Sequence, residues 1–130
     1  MLKTKKDGPL YIMHSRNFKE MAGTLISMGA DITAKTKNGL SPLHIATQRN
    51  NKELTEFFIA NGAEINAKDE VGWTPLHNAV YFNFNEIAEI LISNGADVNA
   101  KDKDGMTPLD IAVKFNNKKL IEILNSNKLN

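Results

Sequence analysis

Apolar positions along the chain follow helical spacing in short, repeated bursts. Leu76, Ala79 and Val80 stand at i, i+3 and i+4, which predicts a short helix with one buried stripe. Thr74 and Pro75 precede them, a hydroxyl fit to cap that helix and a proline at a first position where no N–H is needed. The stretch NFNEIAEILISNG, residues 83–95, predicts a second helix with a broad apolar face on Ile87, Ile90, Leu91 and Ile92. Asn83 and Glu86 have capping-box spacing at its start, repeated by Asn50/Glu53 and Asn17/Glu20. Phe84 falls at the same start and reads as packing, while Gly95 sits where a left-handed C-terminal cap is wanted. Turn chemistry then follows at Asp104-Gly105.

The pattern repeats. GLSPLHIA begins at Gly39, GWTPLHNA at Gly72 and GMTPLDIA at Gly105, two steps of 33 residues. A second block, GADIT from Gly29, GAEIN from Gly62 and GADVN from Gly95, keeps the same period. One more step back reaches Gly8, where GPLYIM is a worn copy. Four units, about 1–38, 39–71, 72–104 and 105–130, therefore fill one domain of 130 residues. The end units are atypical and read as caps. Lys6, Tyr11 and Met13 depart from the pattern at one end and Lys128 at the other. Lys118, Lys119, Glu122 and Asn125 suit a solvated face on the last helix, and Ile121 and Leu124 its inward stripe. Each unit is too small to bury its own apolar face, so stability must come from stacking.

The two blocks in register resemble ankyrin repeats: a Gly, then Thr-Pro-Leu-His, then Ala, and later Gly-Ala-Asp-Val-Asn. Three units match well, and the resemblance spans nearly the whole chain. It implies an all-α solenoid of four helix-turn-helix units, with the Asp-Gly turns forming β-turn or hairpin fingers. It also implies that His44 and His77 are structural, bridging backbone and Ser/Thr groups between loops. Asp110 takes the equivalent place in the third copy, so no row of identical sites runs along the stack.

Composition narrows the function. The chain has no cysteine, which removes disulfides, thiolate catalysis and Cys-based zinc sites. Three histidines without a His-Glu-x-x-His pairing make no metal pattern, and His14 is isolated. Asp31, Glu64 and Asp97 recur at one repeat position and read as turn acceptors. No phosphate loop, Gly-x-Ser-x-Gly or dinucleotide fingerprint is present. The expectation is a protein that is not an enzyme and takes no cofactor or metal. Net charge is +1, and KTKK and Lys118-Lys119 are short basic patches at opposite ends, so no nucleic-acid partner is expected. The basic N-terminus lacks the apolar run of a signal peptide, and nothing approaches the roughly 18 apolar residues of a membrane span. A monomer in the cytoplasm, inside the cell, is the expectation.

The resemblance implies a concave surface of finger tips and outward first-helix positions, the places varied in designed ankyrin binders. These are Lys37, Asn38, Leu40, Gln48 and Arg49 in the second unit, a polar set. In the third they are Glu70, Val71, Trp73, Tyr81 and Phe82, and in the fourth Lys103, Asp104, Met106, Lys114 and Phe115. Aromatic and Met side chains at exposed positions are what interface hot spots favour. The expected function is therefore a protein-protein interaction module. Its site centres on Trp73, Tyr81, Phe82, Met106 and Phe115, beside Val71, with Arg49, Glu70, Lys103, Asp104 and Lys114 at the rim. In the competing reading Trp73 packs across fingers and Tyr81 and Phe82 fold onto the adjacent helix. Two other roles stay open: a segment of a larger array without its own partner, and a substrate for asparaginyl hydroxylation at Asn99. The last is implied by the family resemblance, with Leu91 eight residues before and Asp97-Val98 adjacent; Asn66 is the weaker match.

Overall fold

The structure is a computed structural model that describes residues 34–128. The worn first copy at Gly8, with Lys6, Tyr11, Met13, His14, Asn17/Glu20 and Asp31, and the side chain of Lys128, lie outside the described residues. The described part is all-α, as expected: six helices and, among these residues, no strand. They form three pairs: α1 Pro42–Gln48 with α2 Lys52–Ala60, α3 Pro75–Tyr81 with α4 Asn85–Ser93, and α5 Pro108–Lys114 with α6 Lys118–Lys128. The first helices pack on one another in sequence, α1 on α3 on α5; the second helices do the same, α2 on α4 on α6.

Each first helix starts where its side chains dictate. Ser41, Thr74 and Thr107 are N-caps whose hydroxyls accept from the backbone N–H of His44, His77 and Asp110. Each N3 side chain answers by accepting from the cap N–H: His44 Nδ1 at 3.1 Å, His77 Nδ1 at 3.1 Å, Asp110 Oδ2 at 2.9 Å. This is a capping box with imidazole or Asp in place of the usual Glu. Leu76, Ala79 and Val80 are buried as the periodicity predicts. In α4 the buried stripe is Ile87 and Leu91, with Ile90 and Ile92 half-buried at its edges.

The link between paired helices corrects one expectation. Asn50 and Asn83 do not begin capping boxes with Glu53 and Glu86. With Asn116 they adopt left-handed φ of 55°, 63° and 56° and reverse the chain, which Asn tolerates better than most residues. The caps lie one residue later, at Asn51, Phe84 and Asn117. Asn51 Oδ1 accepts from Leu54 N at 2.9 Å and Asn117 Oδ1 from Leu120 N at 3.2 Å; Phe84 makes no cap bond and instead packs half-buried against the core. At the far end of α4, Gly95 N donates to Ile92 O and Ala96 N to Leu91 O, the paired bonds of a Schellman cap.

The loops between pairs are tight turns. Asp69 N donates to Trp73 O and Asp102 N to Met106 O, both at 2.9 Å. Successive fingers are joined by Glu70 N to Asn38 O and Lys103 N to Val71 O, each 3.0 Å. That approach demands glycine: a Cβ on Gly72 (φ 85°) would lie 2.9 Å from Asp102 Cα and Lys103 N. Gly105 has a similar φ of 80° but open space, because no described finger follows it.

The histidines tie these parts together. His44 Nε2 lies 2.8 Å from Trp73 O and His77 Nε2 lies 2.9 Å from Met106 O. A carbonyl only accepts, so Nε2 carries the proton and Nδ1 is the acceptor. Each ring thus caps its own helix and holds the next finger. Asp110 keeps the cap but makes no bond to a following finger among the described residues. At the last described pair Leu124 is buried and Ile121 half-buried. Lys118, Lys119, Glu122 and Asn125 are exposed. Val113 is 57% exposed where its equivalent Val80 is 2%, so the end face keeps an apolar spot.

Three outcomes are expected. Gly72→Ala and Gly105→Ala share the cost of a left-handed alanine, roughly 1–2 kcal/mol, but only Gly72→Ala also forces fingers apart. Urea unfolding should show Gly72→Ala to be the more destabilising; equal losses would contradict the close packing. Asn78 is buried in α3 where α1 and α5 carry Ile45 and Ile111, and its Nδ2 has no partner. Asn78→Ile is expected to stabilise by about 1–2 kcal/mol in the same assay by removing that unpaired donor. Burial lowers the pKa of His44 and His77 below 6.5, outweighing the opposing effect of their carbonyl bonds. Above that value both states are neutral. As pH falls below it the unfolded chain takes up protons first, so stability is lost by up to about 1.4 kcal/mol per pH unit per histidine. The urea midpoint should hold steady from about pH 8 to 7 and fall from about 6.5 towards 5; a midpoint rising with acidity would overturn the neutral assignment.

Candidate interaction surface

The first helices are seven residues long, so their C-terminal ends come early and place residues 81–82 and 115 at the rim of the stack. Tyr81 ends α3, and Phe82 and Phe115 are the C-caps of α3 and α5. All three are exposed, at 47%, 46% and 55%. The fingers bring Trp73 and Met106 up beside them, both half-buried.

The rings form one connected group. Trp73 lies 5.3 Å from Tyr81, which meets Phe82 edge-on at 5.0 Å and Phe115 edge-on at 5.5 Å. Phe82 in turn stacks on Phe84 at 5.6 Å. Edge-to-face pairs of this kind contribute about 0.5–1.5 kcal/mol beyond area burial. Lys114 Nζ sits 5.9 Å above the Phe115 ring.

Between the finger and α5 lies a cleft of about 430 Å³, walled by Val71, Trp73, Tyr81, Met106, Ile111 and Phe115. Asp102, Lys103, Asp104 and Lys114 complete its lining. Eight of the residues named from sequence therefore meet in one place. Phe82, Glu70 and Arg49 do not line it. Phe82 lies beyond Tyr81, against Phe84, and Glu70 and Arg49 are exposed elsewhere on the surface. In the second unit Lys37, Asn38 and Arg49 are exposed and Leu40 and Gln48 half-buried, a polar counterpart.

Trp73 combines the two competing readings. Its carbonyl accepts from His44, and its Nε1 donates to Asp102 Oδ2 at 2.9 Å, so it packs across fingers. Its ring still walls the cleft. Tyr81 and Phe82 contact neighbouring rings but stay about half exposed.

Sequence reading missed Asp102 and Ile111. Asp102 is the finger's organising acceptor, taking the N–H of Asp104 at 2.8 Å and of Met106 at 2.9 Å as well as the indole. Slight desolvation raises its pKa, but the Met106, Trp73 and Asp104 donors outweigh this and hold it below the ordinary 3.8. The available signal was Asp69, one period earlier, which accepts from Val71 N and Trp73 N in the same way.

Asn99 lies exposed in a turn, its N–H bonded to Asp97 Oδ1 at 2.9 Å. Asn66 differs: its amide bridges to the next unit, accepting from Asp97 N at 2.8 Å. No helix among the described residues is long and apolar enough to cross a membrane.

A family model described as ankyrin repeats (3 copies) matches residues 10–102 and again 55–130. No curated protein matches the chain. Those matches run through all six described helices and both capped histidines: the chain belongs to the ankyrin repeat family.

Proposed function

We propose that the protein is a non-catalytic interaction module that holds a protein partner on the surface carrying the Trp73–Tyr81–Phe115 cleft. Ankyrin repeats are in general protein-protein interaction modules. The observation that carries the local reading is apolar exposure. Val71, Tyr81, Phe82 and Phe115 are each 46–55% exposed and crowd one side of the stack. Monomers seldom leave such a cluster uncovered without use, and the residue types are those that anchor interfaces. Tyr81, Phe115, Met106 and Trp73 supply the anchoring contacts, Val71 and Phe82 extend them, and Lys103, Asp104 and Lys114 set orientation at the edge. Arg49 and Glu70 lie further out and tune approach. Histidine catalysis has no support, because both nitrogens of His44 and His77 are already engaged.

Tyr81 and Phe115 are the side chains to remove, since they contribute most to the surface and least to the finger bonds. Wild type and Tyr81→Ala/Phe115→Ala are compared as baits in lysate of the source cells, after circular dichroism has matched their folding. A specific protein held by wild type should bind the variant at least about 30-fold more weakly, the size of a hot-spot loss of 2 kcal/mol or more. Equal retention of that protein would move the site elsewhere.

A further inference from the structure

A second cleft adjoins the first. It measures about 390 Å³ and is lined by Val80, Tyr81, Asn83, Phe115, Asn116, Asn117 and Lys118. Tyr81 and Phe115 line both clefts, so their edge-on pair is the ridge between them. One side of the ridge is walled by Val71, Trp73, Met106 and Ile111; the other carries the Lys118 amine and Asn116, beside Asn83 and Asn117, whose amides bond to each other.

The charges around the two clefts are unequal in availability. Asp102 is satisfied internally, its oxygens receiving three donors. That leaves Asp104 against the amines of Lys103, Lys114 and Lys118. Among the described residues none of the three has a carboxylate partner; an ion pair such as Lys52 to Glu86 at 3.4 Å lies on the second helices. Lys114 has only the Phe115 ring beneath it. The surface is thus an apolar cleft beside a cationic one, with few anions of its own to answer those cations.

We infer that the paired clefts take a short peptide segment that joins a bulky apolar side chain to carboxylates a few residues away. The apolar side chain enters between Trp73, Met106 and Ile111. The chain crosses the Tyr81–Phe115 ridge, and the carboxylates reach Lys114 and Lys118. The inference rests on the reading of this surface as a partner site and adds the chemistry of the partner. Volumes near 400 Å³ are at the low end for ligand clefts, roughly 300–1,000 Å³, and suit side chains of a segment. Opposite charge at the rim steers encounter and excludes basic segments. Single-stranded nucleic acid also pairs aromatics with lysines, but it needs free ring faces, and Phe82 is already stacked on Phe84. Tyr81 meets Phe82 and Phe115 at 86° and 84°, and Trp73 is stacked on His77.

A phage-displayed random library of about 12 residues, a length suited to groove-bound segments, is panned on the full chain. The best binder is then titrated by the fluorescence of Trp73, the chain's one tryptophan. Enriched sequences should set Leu, Ile, Phe or Trp close to Asp or Glu. Lys114→Glu/Lys118→Glu should weaken the binder about tenfold or more, as loss of facing charges implies, and Lys119→Glu on exposed α6 should leave it unchanged. Affinity should also fall as salt rises from about 0.05 to 0.3 M. Binders that lack acidic residues, or carry Lys and Arg, yet depend on Tyr81 and Phe115 would overturn the charge assignment and leave the partner site standing. Binders indifferent to Tyr81→Ala/Phe115→Ala would overturn both. No enriched peptide, or tighter binding of an oligothymidine than of any peptide, would overturn the inference.

Discussion

The bond from a buried histidine to the carbonyl of the next finger is the constraint on which the rest depends. His44 holds Trp73 O and His77 holds Met106 O, and the side chains of those two residues help wall the cleft. The same imidazole closes the cap of its own helix. One neutral ring therefore fixes a helix start, a turn and the position of a surface side chain together. Its burial keeps it neutral, because a proton on Nδ1 would abolish the acceptor that the cap N–H needs. Architecture and surface are coupled through a single protonation state.

The helix lengths do the remaining work. A seven-residue helix makes about two turns, and in α3 every residue from Pro75 to Val80 is buried. The next residues turn outward before the left-handed Asn83 reverses the chain. Whatever occupies those positions is displayed. In α1 they are Gln48 and Arg49; in α3 they are Tyr81 and Phe82; in α5 they are Lys114 and Phe115. Backbone and caps are nearly constant across the three pairs, so the chemistry of the face is set by a handful of positions that the fold does not need.

That separation explains what could be read from sequence. Helix starts at Ser41, Thr74 and Thr107 and the cap at Gly95 follow local rules, in which a few adjacent residues satisfy their own backbone groups. The 33-residue period then places each unit relative to the next. Asn83 shows where local rules divide: asparagine suits both an N-cap and a left-handed link, and the choice is made by the reversal between helices and by the apolar Phe84 seeking the core. Trp73 shows a different limit. Packing and display were opposed as readings, yet a large amphipathic ring does both, its indole N–H reaching Asp102 while its face stays in the cleft. Ile111 was missed because the apolar stripe read for the first helices, Leu76, Ala79 and Val80, skips its repeat equivalent, the polar Asn78; it is nonetheless buried and lines the cleft.

The cleft is also stiff for identifiable reasons. Trp73 is held by hydrogen bonds at its carbonyl, its backbone N–H and its indole N–H. Tyr81 is wedged among Trp73, Phe82 and Phe115. Side chains already confined lose little further freedom when covered, whereas each mobile side chain fixed at an interface costs roughly 0.5–1.5 kcal/mol. A surface of this kind needs less contact area for a given affinity than a flexible one. It also cannot relax by collapsing its apolar groups inward, since the core below is occupied by Ile111, Ala79 and Val80. The exposure of Tyr81 and Phe115 is thus enforced by the same packing that makes the stack stable, and Lys114, poised over Phe115, keeps that exposed ring beside a solvated charge.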